Sequence, residues 1–325
     1  MKAVLQDEYG PSDVLKLQDV ERPTPKPGEV LIRVRAAALD AGVWHLMTGR
    51  PQLLRLMGFG VRRPAVRVRG REVAGHVEAV GAGVTRHRAG DEVFGFCEGA
   101  FAEYVSAPQD RFVSKPPNLP LDQAAALPIS GVTALQALRD SGRVRPGQQV
   151  LIIGAAGGVG TFAVQLAKTM GATVTGVCST AKMDLVRSLG ASEVIDYTRE
   201  DFAERSERYD LIIDTAGGRP LSVLRRALTP RGTLVIVGSE TEGRLLGGTD
   251  RVLRALLVSP FVRHSLRGLF SVERSSDLQI LADSVAAGDL VPVIDRTFPL
   301  HQVPEAIAHL RDGHARGKVL IAPAS

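Results

Sequence analysis

The run Val150-Leu151-Ile152-Ile153-Gly154-Ala155-Ala156-Gly157-Gly158-Val159-Gly160 limits the possible folds more than any other part of the chain. An apolar stretch enters a glycine-rich turn, and the turn opens into a helix-like segment that closes at Met170-Gly171. This strand–turn–helix grammar belongs to a parallel sheet covered by helices. Gly157 lets a ligand come against bare backbone, and Gly160 lets the helix pack closely on the strand. The helix start, at Gly158, Val159 and Gly160, offers unpaired N–H groups and positive partial charge to a pyrophosphate. Ala155 stands where the usual G-x-G-x-x-G has its first glycine, so the turn reads A-x-G-x-x-G.

A site for NAD usually carries an acid at the end of the second strand, about 20 residues on, to hold the ribose 2′-hydroxyl. Here that place reads Cys178-Ser179-Thr180-Ala181-Lys182, with no carboxylate before Asp184. The hydroxyls of Ser179 and Thr180 and the ammonium of Lys182 suit a 2′-phosphate, which an acid would repel. NADPH is therefore the expected cofactor. Tyr197, after the third strand, either stacks near the adenosine phosphate or is an ordinary surface tyrosine.

A chain of 325 residues exceeds what one hydrophobic core usually serves. Before about residue 122 the pattern is β-rich, with strands expected at 30–36, 72–80, 90–95 and 99–105, as in a small barrel. From 123 the rhythm turns to alternating strands and helices: strands at 149–153, 173–178, 193–196, 210–214 and 233–237, with helices between them. Past about 265 it changes again, with a strand expected near 269–272, helices at 276–287 and 303–310, and strands at 293–298 and 318–321. The fold class is α/β. No apolar run is long enough to span a bilayer, and the N-terminus lacks the apolar core of a signal peptide, so the cytoplasm is the expected location.

Cys97 and Cys178 are the only cysteines and form no C-x-x-C pair, which excludes a four-cysteine zinc site. They read as two buried thiols. The formal net charge of +5 is spread along the chain and lacks the aromatic interleaving of a nucleic-acid motif, so neither nucleic acid nor membrane is expected as a partner. The basic, apolar stretch from Arg251 to Arg267 reads as a solvated or subunit-facing helix.

Taken together, the chain resembles the zinc-free, quinone oxidoreductase-like branch of the medium-chain dehydrogenase/reductase superfamily. The resemblance is carried by Gly10 to Leu15, Pro27 to Ile32, Ala74 to Gly81, Gly90 to Gly95, Phe101 to Val105, Gly154 to Gly160 and the tail Gly317 to Ile321. It implies a GroES-like catalytic domain built from 1–122 and 265–325, and a Rossmann domain over 123–264. It also implies a cofactor between the domains and, by analogy, a homodimer.

In zinc-dependent relatives three metal ligands fall where this chain has Asp40, Arg71 and Ile129. A guanidinium is permanently charged and an alkyl side chain has no lone pair, so no metal is expected. Without a Lewis acid, simple alcohols are poor substrates. A quinone or an α,β-unsaturated carbonyl is already electrophilic and needs mainly proximity, oxyanion stabilisation and a proton. The alternatives are an enoyl-thioester reductase and an NADPH-binding sensor or scaffold with little turnover.

His45 is the candidate proton relay, or else a histidine bonded structurally. Trp44 walls the pocket or packs in the core. Arg71 pairs with Asp40 in the vacated metal space, or aims its charge at the oxyanion; the pair is the favoured reading. Thr133 resembles a family threonine whose hydroxyl faces the nicotinamide, and its alternative is a bond back into its own helix. Val237-Gly238-Ser239 resembles the turn that meets the carboxamide.

Overall fold

The computed structural model describes residues 1–52, 55–238 and 249–323. The chain divides into two compact units, Met1–Val132 with Glu273–Ser325, and Thr133–Val272. The first stretch of the discontinuous unit holds β1 (Lys2–Gln6), β2 (Leu15–Asp19), β3 (Glu29–Leu39), α1 (Ala41–Thr48), β4 (Glu72–Val80), β5 (Glu92–Phe96), β6 (Tyr104–Pro108) and β7 (Phe112–Ser114). Helices α2 (Leu121–Ala124) and α3 (Pro128–Gln136) follow. The second unit holds β8 (Gln149–Ile153), α4 (Gly158–Thr169), β9 (Thr173–Cys178), α5 (Met183–Ser188), β10 (Glu193–Asp196) and β11 (Tyr209–Asp214). It continues through α6 (Leu221–Arg226), β12 (Leu228–Ile236), α7 (Thr249–Val258) and β13 (Ser265–Gly268). The chain then re-enters the first unit with α8 (Ser275–Ala286), β14 (Ile294–Pro299), α9 (Val303–Arg311) and β15 (Lys318–Ala322).

In the first unit, Val30, Ile32 and Val34 of β3 are buried while Arg33 and Arg35 face out, the period-two pattern of a strand with one apolar face. β3 organises a seven-stranded sheet of order β14-β15-β3-β4-β5-β7, with β6 also paired to β3. Both ends of the chain feed its core: Val73, Phe101 and Phe112 pack in one cluster with Val303, Ile307 and Ile321. The strand expected at 99–105 begins later, at Tyr104. Gly99 adopts a positive φ of 84°, which bends the chain before it joins β3.

The second unit is a six-stranded parallel sheet of order β10-β9-β8-β11-β12-β13. Read from β8 onward, this is the Rossmann order, with the reversal between β8 and β11. The strand expected at 269–272 is found at Ser265–Gly268, as the sixth strand of this sheet. Leu269 still donates to Ile236, after which the chain leaves the sheet with Phe270 and Val272 exposed, so the apolar run there is not a strand. The stretch from Arg251 to Arg267 is also not one solvated helix. It comprises α7, a short turn and β13, and Arg251 itself is buried. No helix among the described residues is long and apolar enough to cross a membrane.

Candidate active site

In a doubly wound sheet ligands bind outside the carboxyl ends of the strands, at the reversal of strand order. Here that place is the turn between β8 and α4. Gly154 takes a φ of 78°, and the N–H groups of Gly154 and Ala155 donate to the Val177 carbonyl of β9 at 3.1 and 3.0 Å. Gly157 caps α4, and the first helical bond runs from Thr161 N–H to its carbonyl at 3.0 Å. Helix geometry therefore leaves the N–H groups of Gly158, Val159 and Gly160 for an anion. A Cβ on Gly160 would stand 2.1 Å from the Gly154 carbonyl oxygen and 2.8 Å from Ala155 backbone. One on Gly157 would meet only the Gly154 oxygen, at 3.3 Å, so that face of the turn is open. A bare, concave backbone at a helix start fits a dinucleotide pyrophosphate.

The end of β9 carries Ser179 in extended conformation, then the short turn Thr180–Lys182. Thr180 is not available as expected. Its hydroxyl donates to the Asp196 carboxylate, so its proton is already spent. Asp196 lies opposite Cys178 in the parallel register, is buried, and also accepts the Thr198 hydroxyl at 2.7 Å and N–H at 3.0 Å. These bonds, Thr180's foremost, hold its carboxyl below the usual range. Ser179 and Lys182 flank Thr180 and Ala181 at this strand end, and Tyr197 directly follows β10. The Tyr197 N–H donates to Cys178 and its side chain is 55% exposed.

Val237 and Gly238 follow β12, but both N–H groups donate to the Asp214 carbonyl, at 2.9 and 3.2 Å. The N–H groups of this turn are therefore already committed to the end of β11. Ser239 lies outside the described residues. The Asp214 side chain pairs with Arg251 at 2.8 Å and accepts the Gly217 N–H at 2.9 Å. This fully buried ion pair, unforeseen from sequence, braces the strand ends around the turn. Thr133 is buried in α3.

In the first unit Asp40, Arg71, Glu72 and Ile129 have separate tasks. Asp40 caps α1, its Oδ1 accepting the Gly42 N–H at 2.6 Å, while Oδ2 is buried without a hydrogen bond. The expected Asp40–Arg71 ion pair is not formed. Arg71 binds Glu273 through Nη2 and lies 3.8 Å from Glu98, because those carboxylates reach the guanidinium while Asp40 is held at the helix start. Arg111 takes the other oxygen of Glu273 at 3.0 Å. Asp40, Glu273 and Glu98 together outweigh burial and push the Arg71 pKa up, so its charge is permanent. A polar cavity of about 330 Å³ opens beside Glu273 and Arg111.

Glu72 accepts the Ile129 N–H at 2.8 Å and pairs with Lys318, which is itself bonded to the Leu39 carbonyl at 2.8 Å and the Ser130 hydroxyl at 3.1 Å. Both charges are buried. Burial raises the Glu72 pKa to about 7 against the pull of Lys318. Nothing in the local sequence announces this pair, since its members lie 246 positions apart. Among the described residues no three or more His, Cys, Asp or Glu are gathered as metal ligands.

His45 lies in α1, its Nδ1 3.0 Å from the Arg50 carbonyl. A carbonyl only accepts, so Nδ1 carries the proton of the neutral ring in this contact. Trp44 packs against the core, with the Arg311 guanidinium 3.8 Å above its ring. Cys97 and Cys178 are both buried, and burial pushes both thiol pKa values up.

Residues 26–117 match the alcohol dehydrogenase GroES-like domain, 133–223 the alanine dehydrogenase/PNT C-terminal domain, and 189–321 the zinc-binding dehydrogenase family. A chloroplastic quinone-oxidoreductase of Triphysaria versicolor is 35% identical, over 99% of this chain and 98% of that one. The chain belongs to the medium-chain dehydrogenase/reductase superfamily. A mitochondrial NAD(P)H oxidoreductase of Mus musculus is 33% identical over 99% of this chain and 89% of that one. The solved quinone oxidoreductase of Coxiella burnetii is 32% identical, with a TM-score of 0.83 over 99% of each chain. This member of the superfamily is accordingly an NAD(P)-dependent oxidoreductase of the quinone oxidoreductase-like group.

Proposed function

We propose that the chain is a zinc-independent, NADPH-dependent reductase of quinones or α,β-unsaturated carbonyl compounds. The observation that carries this reading is the anion cradle at the start of α4, set beside a β9 end whose own residues, Ser179 and Lys182 among them, include no carboxylate, the neighbouring Asp196 being engaged by Thr180 and Thr198. The cradle takes the pyrophosphate, and Ser179, Lys182 and Tyr197 take the 2′-phosphate and adenosine. The bound dinucleotide supplies the hydride. Thr133 and the carbonyls at Val237 and Gly238 orient the nicotinamide end.

The acceptor needs an electropositive neighbour and a proton. Arg71 occupies a place where zinc-dependent relatives hold a metal ligand, and its fixed charge gives that space a cation without a Lewis acid. Asp40, Glu273 and Glu98 offset much of that charge, so Arg71 polarises the site at a distance and does not bind the oxyanion directly. His45 takes a proton from solvent at Nε2 and passes it to the reduced acceptor, returning to the neutral ring that donates through Nδ1, while Asp40 keeps α1, and with it the imidazole, in place. In this reading the enzyme is a cytoplasmic homodimer, which light scattering on the purified protein checks for mass.

The test is NADPH oxidation by chelator-treated protein against a panel of quinones and enones, with NADH in parallel. Turnover that survives the chelator and favours NADPH supports the reading; equal rates with low micromolar NADH sink the cofactor assignment. His45→Ala should lower kcat about tenfold or more while NADPH binding persists. An unchanged kcat at saturating acceptor removes His45 from the mechanism.

A further inference from the structure

Between Arg50 and Arg71 the sequence places seven arginines and no acidic residue. Four have structural duties. Arg55 donates to the Gly49 and Thr48 carbonyls at the end of α1, at 2.9 and 3.2 Å. Arg67 pairs with Asp7 at 2.6 Å and Arg71 with Glu273. Arg69 is 7% exposed, donates to the Val66 carbonyl, lies in the field of Glu98, and leaves its Nε buried without a hydrogen bond. Arg50, Arg62 and Arg63 are exposed, and no carboxylate partners them among the described residues.

Burial weakens the Arg69 cation more than the through-space pull of Glu98 supports it, and the nearby exposed arginines add to the same field instead of relieving it. An anion would relieve both. The segment begins at α1, where the Arg50 carbonyl holds His45, so it is continuous with the candidate proton relay. It also exposes Phe59, Val61 and Val66, which give an apolar stem something to lie on.

We propose that the arginine-rich segment receives an anionic group of the acceptor, a carboxylate or a phosphate, with Arg62 and Arg63 as the outer contacts and Arg69 as the inner cation. This deepens the function proposed above and rests on it. The physiological acceptor is then a charged enone, quinone or enoyl thioester in preference to a neutral one.

Two matched pairs separate the sources of charge: an enone with a terminal carboxylate against its methyl ester, and the crotonyl thioester of coenzyme A against that of N-acetylcysteamine. The charged member of at least one pair should have a kcat/KM at least tenfold higher, carried by KM and shrinking as salt rises. The double variant R62A/R63A should bring the charged-to-neutral ratio close to one. Calorimetry with the saturated butanoyl thioesters, with NADP⁺ saturating, reads the same preference without turnover. Equal binding and equal kcat/KM within both pairs overturns the proposal and leaves the reductase standing. A binding preference that R62A/R63A removes, with no acceptor reduced, supports the anion site and instead sinks the reductase reading.

Discussion

The phosphate turn and the Arg71–Glu72 cluster are built in opposite ways. Gly154 to Gly160 is contiguous, mostly backbone, and depends on side chains being absent. The cluster draws on Arg71, Glu72, Glu98, Arg111, Ile129, Ser130, Glu273 and Lys318, and depends on charges from distant parts of the chain meeting, with the Glu72–Lys318 pair buried and Glu98 and Arg111 half-exposed. The turn tolerates little added volume at Gly160 and carries no formal charge. The cluster is most sensitive to the loss of a charge at the buried Glu72–Lys318 pair. Local and non-local sites therefore fail differently, and substitutions can separate the two failures.

The largest effect falls on the cluster. Lys318→Met leaves Glu72 buried without its counter-ion and should cost about 3–5 kcal/mol of stability in urea unfolding. A loss below about 1 kcal/mol would mean that the pair is not the anchor its burial suggests.

Next comes a contrast within the turn. Gly160→Ala drives a Cβ into the Gly154 carbonyl and should cost about 1–3 kcal/mol together with dinucleotide affinity. Gly157→Ala meets only one atom at 3.3 Å, so stability should hold while dinucleotide affinity falls. Equal stability losses for the two would erase the distinction between packing glycine and binding glycine.

Acidity probes the cluster alone. The Glu72 pKa is raised from 4.5 to about 7 in the folded chain. Between those values the folded state holds more protons than the unfolded one, so this group's contribution to stability falls as pH rises through the window. It is fully present below pH 4.5 and gone above about 7. The slope is at most about 1.4 kcal/mol per pH unit for one proton. Glu72→Gln should flatten that part of the stability–pH curve, and an unaltered curve would assign the slope elsewhere.

The smallest effect separates the two hydroxyls after β9. Ser179→Ala should weaken NADPH more than NADH by several-fold. Thr180→Val should change the two alike, because its hydroxyl belongs to Asp196.

The sequence alone determined what short-range geometry dictates. Alternation in β3, the apolar runs of β8 to β11 and the glycine turn follow from φ/ψ limits and side-chain periodicity, so they are legible a few residues at a time. The bend at Gly99 and the exit after β13 were misplaced, because apolar residues such as Phe270 look alike whether buried in a strand or exposed beyond one. Tertiary structure decided which charges meet. Arg71 was expected with Asp40 and is paired instead with Glu273, 202 positions away, and Thr180 was given to Asp196 by the register of β9 and β10. A Coulomb partner is chosen by distance through space, and only the folded chain sets that distance.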